Sequence, residues 1–334
     1  MTEAAMEKAR TLIADCLVWD NHACMPLRPD DDGHLPQMES YRTAGVDVVS
    51  LNVGFGAQPL DSHIQVLAAF RRWFSAHADR YALVAGLADI DRARRDGKLA
   101  ILFDIEGMAP LDAGDHGLIA RFHDLGVRWM SVAYNRNNAA GGGCYDADTG
   151  LTSHGRRILA ESKRVGMVVC CSHTGHRTAR EVIDRADNPV IFSHSNPAAA
   201  HAHPRNIPGD LIRACAANGG VIGISGVSVL LGDRDCQAET IARHIDHVAQ
   251  CVGADHVGIA LDHVFDEMEF LDDPIALGSA FPSGAAPAGP IKTAPPSVVP
   301  GVVAVLLGRG YGDAEVRKIL GGNWRRVAEQ VWGA

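Results

Sequence analysis

The stretch MVVCCSHTGHRTAREVIDRADNPVIFSHS, residues 167–195, holds the fold in miniature. Its two apolar runs, 167–173 and 189–195, both carry a histidine at or near their ends, and 176–186 between them reads as a helix. Runs this short, rich in Val and Ile and nearly continuous in hydrophobicity, are expected of parallel strands buried on both faces. Six more runs of the same kind lie outside this unit: CLVWDNH (16–22), DVVSLNVG (47–54), LAILFDIEG (99–107), VRWMSVAYN (127–135), GVIGISG (220–226) and HVGIALD (256–262). Helical stretches at 63–79, 116–125, 152–165, 208–218 and 240–252 connect them, with Thr152 placed to cap one and Pro208 at the first turn of another. Such alternation leaves a doubly wound sheet or a closed barrel. Eight strands favour an α/β protein of the (β/α)8 TIM-barrel type.

A chain of 334 residues suits one such barrel with insertions, so residues 1–334 are read as a single domain, without internal repeats. Residues 271–300, rich in Pro, Gly and Ala, predict a long loop over the strand ends. Helices at about 298–309 and 313–331 then close the barrel's bottom or side. With 47% hydrophobic and 21% charged residues, the composition is that of a soluble protein with a large core. Net charge is −9 and no run of Lys or Arg exceeds a pair, which offers no footprint for nucleic acid or an anionic membrane. The opening MTEAAMEKARTLIADC lacks the basic start and apolar stretch of a signal peptide, and no later segment approaches the roughly 18 apolar residues of a membrane span. A cytoplasmic protein is expected. Its eight cysteines include no CxxC pair and are expected to be reduced and mostly buried, with Cys24 the exception.

In barrel enzymes the active site lies at the C-terminal ends of the strands. Here those ends carry His22 and Cys24, Glu106, Tyr134 and Asn135, His173, His194 and Asp262. A buried ionisable group needs a partner, and a divalent cation is an efficient one. A lone histidine at a strand end is ordinarily a hydrogen-bonded structural residue, and Glu106 alone could be an ion-paired carboxylate. Three histidines, a glutamate and an aspartate on one rim point instead to a metal site. No GxSxG elbow, Walker A sequence or Rossmann glycine fingerprint is present, which argues against a serine hydrolase and against nucleotide cofactors.

The order of these groups resembles the renal (membrane) dipeptidases, zinc dipeptidases among the amidohydrolase-like metal hydrolases. WDNHACMP (19–26) is similar to that family's first-strand motif, in which His-x-Asp supplies two ligands to one zinc, and FDIEG (103–107) to its bridging-glutamate motif. VGMVVCCSH (165–173) and NPVIFSHSNPAAAHAHPRNIPGDLI (188–212) resemble the segments that each give a histidine to the second zinc. DHVGIALD (255–262) looks like the strand delivering a catalytic aspartate, and RGYGDAEVRKILGGNWRRV (309–327) like the C-terminal helix with its GGN turn. The resemblance implies two zinc ions bridged by Glu106, with His22 on the first and His173 and His194 on the second. It implies that Asp262 orients the bridging water and shuttles its proton. Arg205 matches the residue that holds the substrate carboxylate. The implied activity is cleavage of the amide bond of dipeptides or dipeptide-like small molecules bearing a free carboxylate, by a metal-activated water in a homodimeric enzyme.

Three residues depart from the family pattern. Cys24 stands where the family has the first-strand aspartate. As a thiolate it would ligate the metal, favour softer ions and weaken the Lewis acid; unligated, it would leave the first site weak or empty. Tyr134 stands where a histidine is usual, and either donates a hydrogen bond to the developing oxyanion or only fills the pocket wall. Cys170 stands where an aspartate commonly supports a ligand histidine. Three readings follow: a dipeptidase; a hydrolase of another C–N bond, in an N-acyl amino acid, cyclic amide or modified amino acid; or a metal-binding barrel that has lost catalysis. Retention of Asp262 argues against the last.

Overall fold

In the computed structural model, which describes residues 3–332 except 113, 269–277, 279, 283 and 285–289, the apolar runs become strands. They are β1 (Trp19–Cys24), β2 (Val48–Phe55), β3 (Tyr81–Leu83), β4 (Leu99–Glu106), β5 (Val127–Ser131), β6 (Val168–Cys170), β7 (Ile222–Ile224), β8 (Val257–Ile259) and β9 (His263–Val264). The parallel sheet runs β6-β5-β4-β2-β1-β8-β7. The expected strand at 189–195 is reduced to single bridges, yet it supplies the missing stave. Ile191 pairs with Cys170 of β6, and Phe192 pairs with Ile222 of β7. With these bridges the sheet curls back on itself through eight staves, as the sequence predicts.

Two strands lie outside the expected set. β3 pairs with the first half of β4, Tyr81 opposite Leu99 through Leu83 opposite Ile101, while β5 takes β4's second half. Three residues are too few to show a period, so YAL carries no strand signal. β9 continues beyond Asp262 and pairs with Ala23 and Cys24. Helices at Glu3–Asp15, Glu39–Thr43, Leu87–Arg95 and Ser228–Leu231 were likewise not expected from sequence.

β4 shows how strand geometry places chemistry at one end of the barrel. Successive side chains alternate between faces. Leu99, Ile101, Phe103 and Ile105 pack outward with the helices, whereas Ala100 and Leu102 join an inner cluster with Trp19, Trp129, Val168 and Ile191. The same inner file continues through Asp104 and Glu106, both buried. The barrel is therefore apolar at its base and ionisable at its C-terminal rim.

The C-terminal segment closes that base. It is not one helix over 313–331: Asp313–Arg317 passes through a π turn, Lys318–Gly322, into Asn323–Val331. The Asn323 amide donates to the carbonyls of Val257 and Ala254 at 2.8 and 2.7 Å, and the Trp324 indole donates to that of Ile259 at 3.0 Å. Gly258 is required beneath Trp324, since a Cβ there would lie 2.6 Å from the indole. Elsewhere Thr152 caps Ser153–Val165 as expected, accepting from the Gly155 amide at 3.0 Å; such caps contribute about 1 kcal/mol.

The loop expected over 271–300 falls largely outside the described residues. Its described end returns to the barrel. Thr293 bridges Val227, and its hydroxyl accepts from the Val264 amide at 3.1 Å. Among the described residues no helix is long and apolar enough to cross a membrane.

Candidate metal centre

Every rim residue singled out from sequence reaches one cluster. His22 and Cys24 come from β1, Glu106 ends β4, His173 follows β6, His194 lies on the closing stave, and Asp262 sits between β8 and β9. Among the described residues four non-glycine positions have positive φ, and three of them are here: Asn135 (59°), His173 (64°) and Asp262 (57°). A left-handed conformation at such residues costs on the order of 1 kcal/mol or more and concentrates at functional sites. It turns the chain sharply at the strand ends. Gly107, with φ of 106°, does the same after Glu106.

The donor atoms converge. His173 Nε2 and His194 Nε2 lie 2.9 and 3.1 Å from Glu106 Oε1, and 2.8 Å from each other. His22 Nε2 lies 3.6 Å from Glu106 Oε2, 3.5 Å from Asp262 Oδ1 and 3.4 Å from Cys24 Sγ. Cys24 Sγ is 3.6 Å from Asp262 Oδ1. Two overlapping sets, His22–Cys24–Asp262 and His22–Glu106–His194, have ligand atoms within 4.8 Å of one another.

The opposite ring nitrogens explain why this cluster fits cations. His22 Nδ1 lies 3.2 and 3.3 Å from the two oxygens of the buried Asp104 carboxylate. His173 Nδ1 lies 2.8 Å from Asn135 Oδ1, and His194 Nδ1 2.8 Å from Ser193 Oγ. Each outer nitrogen thus donates its proton away from the centre, so that Nε2 faces inward and, on a neutral ring, presents its lone pair there. The lone pairs of His173 and His194 then meet a carboxylate whose Oε1 has no hydrogen-bond donor. Acceptors packed this closely repel unless a cation lies among them.

Burial sets the protonation of the metal-free centre. It pushes His173 and His194 well below the usual imidazole range, with the positive charges of Arg205 and His22 adding to the effect. Both are therefore neutral, as ligands must be. Burial also pushes His22 down, but the negative charges of Asp104, Cys24 and Glu106 outweigh it and hold His22 well above that range. Burial raises Glu106 to about 8, raises Asp262, and drives the Cys24 thiol far up despite the pull of His22. A divalent cation reverses each of these penalties, and would deprotonate the thiol outright.

Of the residues that support the cluster, Asp104, Ser50, Asn52 and Ser193 were not assigned from sequence. Asp104, in the same FDIEG motif as Glu106, also accepts from Ser50 Oγ at 2.6 Å and Asn52 Nδ2 at 3.2 Å. Strand alternation could have found it, because it shares the inner file with Glu106. Cys170 reaches the cluster through a relay: its thiol donates to Ser193 Oγ at 3.0 Å, which in turn meets His194 Nδ1 at 2.8 Å.

Beside the centre is a cavity of about 160 Å³, lined by Cys24, Glu106, His173 and Asp262 and by Tyr134, Asn135, Tyr145, His203 and Arg205, with an apolar remainder. The Tyr134 ring stacks on His173 with centroids 4.2 Å apart. Arg205 is only 6% exposed, and its side chain donates to the His194 carbonyl at 3.4 Å. Among the described residues no carboxylate lies within ion-pair distance of it.

A model of the membrane dipeptidase family (peptidase family M19) matches residues 7–273. The chain is 29% identical over 277 residues to the dipeptidase verJ of Clonostachys rogersoniana, covering 82% of this chain and 66% of that one, so it spans about two thirds of that relative's length. It is similar to the crystal structure of an amidohydrolase from Pseudomonas aeruginosa, with a TM-score of 0.88 and 27% identity over 98% of this chain and 99% of the other. A metallopeptidase from Rhodobacter sphaeroides, crystallised with a phosphinate mimic of the dipeptide L-Ala-D-Ala, shares the fold with a TM-score of 0.76 and 20% identity over 95% and 99% of the two chains. With the family match covering most of the chain and the rim residues converging as described, the chain belongs to the membrane dipeptidase family.

Proposed function

We propose that this protein is a metal-dependent dipeptidase, hydrolysing the amide bond of small substrates that carry a free carboxylate. The observation that carries the proposal is the convergence of three histidine Nε2 atoms on Glu106, whose Oε1 has no hydrogen-bond donor, beside a buried Arg205 that lacks a carboxylate partner among the described residues. His22, Cys24 and Glu106 would hold one ion, and Glu106, His173 and His194 the other. The mixed N, O and S donor set suits zinc. Two such ions, when bound, supply a nucleophilic water at neutral pH and polarise the scissile carbonyl.

The chain's own residues do the rest. Arg205 binds the substrate carboxylate, and its burial makes that pairing strong because water does not compete. Asp262 accepts a proton from the attacking water and returns it to the leaving nitrogen. Ser225 Oγ, 3.4 Å from Asp262 Oδ2, holds the carboxylate in place so that Oδ1 faces His22 and Cys24. Tyr134, held by its stack on His173, donates a hydrogen bond to the developing oxyanion in place of a histidine. The apolar remainder of the cavity excludes water from these groups. A homodimer, expected from the family resemblance, is part of the proposal and is tested by sedimentation.

The test is metal content per chain for wild type and Cys24→Ala, with dipeptide hydrolysis assayed on the same samples. Two ions falling to one, with loss of turnover, supports both the dinuclear site and Cys24 as a ligand. One ion or none in both proteins, without hydrolysis of any dipeptide, overturns the proposal. One observation favours a second reading, hydrolysis of an N-acyl amino acid. The carboxylates among the described lining residues, Glu106 and Asp262, both belong to the metal centre, which leaves none free to pair with a substrate α-ammonium. N-acetyl amino acids assayed beside the dipeptides separate the two.

A further inference from the structure

The wall of the cavity next to Arg205 is apolar, and the fold ties it there. Asn206, which follows Arg205, donates from its side chain to the Leu230 carbonyl at 2.9 Å and is almost fully buried. This bond fixes the segment after β7 against the arginine loop. The same segment is pinned from its other side by residues 292–294. The Ser228 amide donates to the Lys292 carbonyl at 2.9 Å, and the Ala294 amide donates to the Gly226 carbonyl at 3.0 Å. That pairing brings Ile291 to the cavity beside Val227 and Leu230, and the Thr293 hydroxyl, bonded to the Val264 amide, adds Val264. Val227, Leu230 and Val264 are each under 9% exposed, so the wall is a packed surface and not a collection of rim side chains.

Its chemistry is one-sided. Arg205 is the cation of the cavity lining, and His203 beside it is held neutral, its pKa lowered to about 4 by burial and then by Arg205. The Arg205 amide donates to His203 Nδ1 at 3.2 Å, which fits that neutral ring. A substrate carboxylate on Arg205 therefore places the side chain of its own residue against hydrocarbon, since the described residues of the wall, Val227, Leu230, Val264 and Ile291, carry no charged or polar side chain to satisfy a polar group.

We propose that this site selects substrates whose carboxylate-bearing residue has a branched aliphatic or aromatic side chain, with the wall of Val227, Leu230, Val264 and Ile291 as its determinant. The inference rests on the reading of Arg205 as the carboxylate anchor. Three additional buried carbons, as between alanine and leucine, are each worth about 0.8 kcal/mol, so the preference for leucine over alanine at that position is at least tenfold. Serine, aspartate and lysine at the same position bind no better than alanine, because the wall cannot repay their desolvation.

Calorimetric binding to the metal-loaded protein tests this with phosphinate mimics of Gly-Leu, Gly-Phe, Gly-Ala and Gly-Lys. Val229, which lines the cavity and is 47% exposed, supplies a variant that leaves the packed wall intact. The expected result is tenfold or greater preference for the Leu and Phe mimics, and a Val229→Asp variant in which Gly-Lys gains at least threefold relative to Gly-Leu. Equal affinities across the series, or failure of all four mimics to bind, overturns the inference. Turnover of the corresponding dipeptides is measured separately. Preferential binding without any hydrolysis upholds the apolar selection and removes the dipeptidase reading, so the two fail independently.

Discussion

Replacing Asp104 by Asn isolates the charge that positions His22. The carboxylate is completely buried and receives His22 Nδ1 at 3.2 and 3.3 Å, Ser50 Oγ at 2.6 Å on Oδ2 and Asn52 Nδ2 at 3.2 Å on Oδ1. An asparagine can keep its oxygen toward Asn52 and His22 and place its amide toward Ser50, whose hydroxyl turns to accept. The hydrogen bonds survive and only the negative charge is lost, so the fold is retained. What changes is the basicity of His22 Nε2, because an anion no longer supports the Nδ1 proton. Loss of such a partner typically lowers metal affinity 10- to 100-fold, which is about 1.4–2.8 kcal/mol. Zinc competition titrations against a chelator of known affinity, on wild type and Asp104→Asn, read this directly. The loss should fall on one of two ions, since His173 and His194 are held by Asn135 and Ser193 instead. Unchanged affinity for both ions, in a variant with native circular dichroism, would refute the argument that Asp104 acts through His22 on a metal.

Two further perturbations address other parts of the molecule. Arg205→Met keeps the volume of a buried side chain and removes its charge; kcat/KM for carboxylate-bearing substrates should fall at least 100-fold, mainly through KM, and an unchanged KM would retire Arg205 as the anchor. His244 is fully buried, its Nε2 3.2 Å from the Leu231 carbonyl, and burial lowers its pKa to about 4. The unfolded chain, with an ordinary imidazole near 6.5, takes up that proton first, so the stability it contributes is present above pH 6.5 and is lost as pH falls toward 4. The expected loss is on the order of 2–3 kcal/mol. Urea unfolding at pH 7.5 and pH 5 should show His244→Gln with a smaller acid-induced drop than wild type; equal drops would contradict the assignment.

Features governed by short periods are legible in the sequence. Short, nearly continuous Val- and Ile-rich runs point to strands covered on both faces, and eight of them alternating with helices favour the barrel over a doubly wound sheet. An ionisable side chain ending such a run has to lie on the rim, which is why His22, Cys24, Glu106, His173, His194 and Asp262 were legible as one group before any coordinates. Asp104 was within reach of the same reasoning, two residues before Glu106 on the inward file, but a buried aspartate reads as structural until its neighbour is known.

Tertiary structure decided what depends on contacts between distant segments. Closure of the barrel at Ile191 and Phe192 takes single bridges to β6 and β7, too local to leave a period in the sequence. β3 exists because three residues find the free half of β4. The orientations of the three rim histidines are set by Asp104, Asn135 and Ser193, of which only Ser193 neighbours in the chain the ring it orients. The apolar wall joins residues 227–230 to 264 and 291, brought together by backbone pairing that no local pattern encodes. Side-chain periodicity is a property of one segment and survives in its sequence. Ring closure, proton placement and pocket shape are properties of pairs of segments, and they come into being only when the chain has folded.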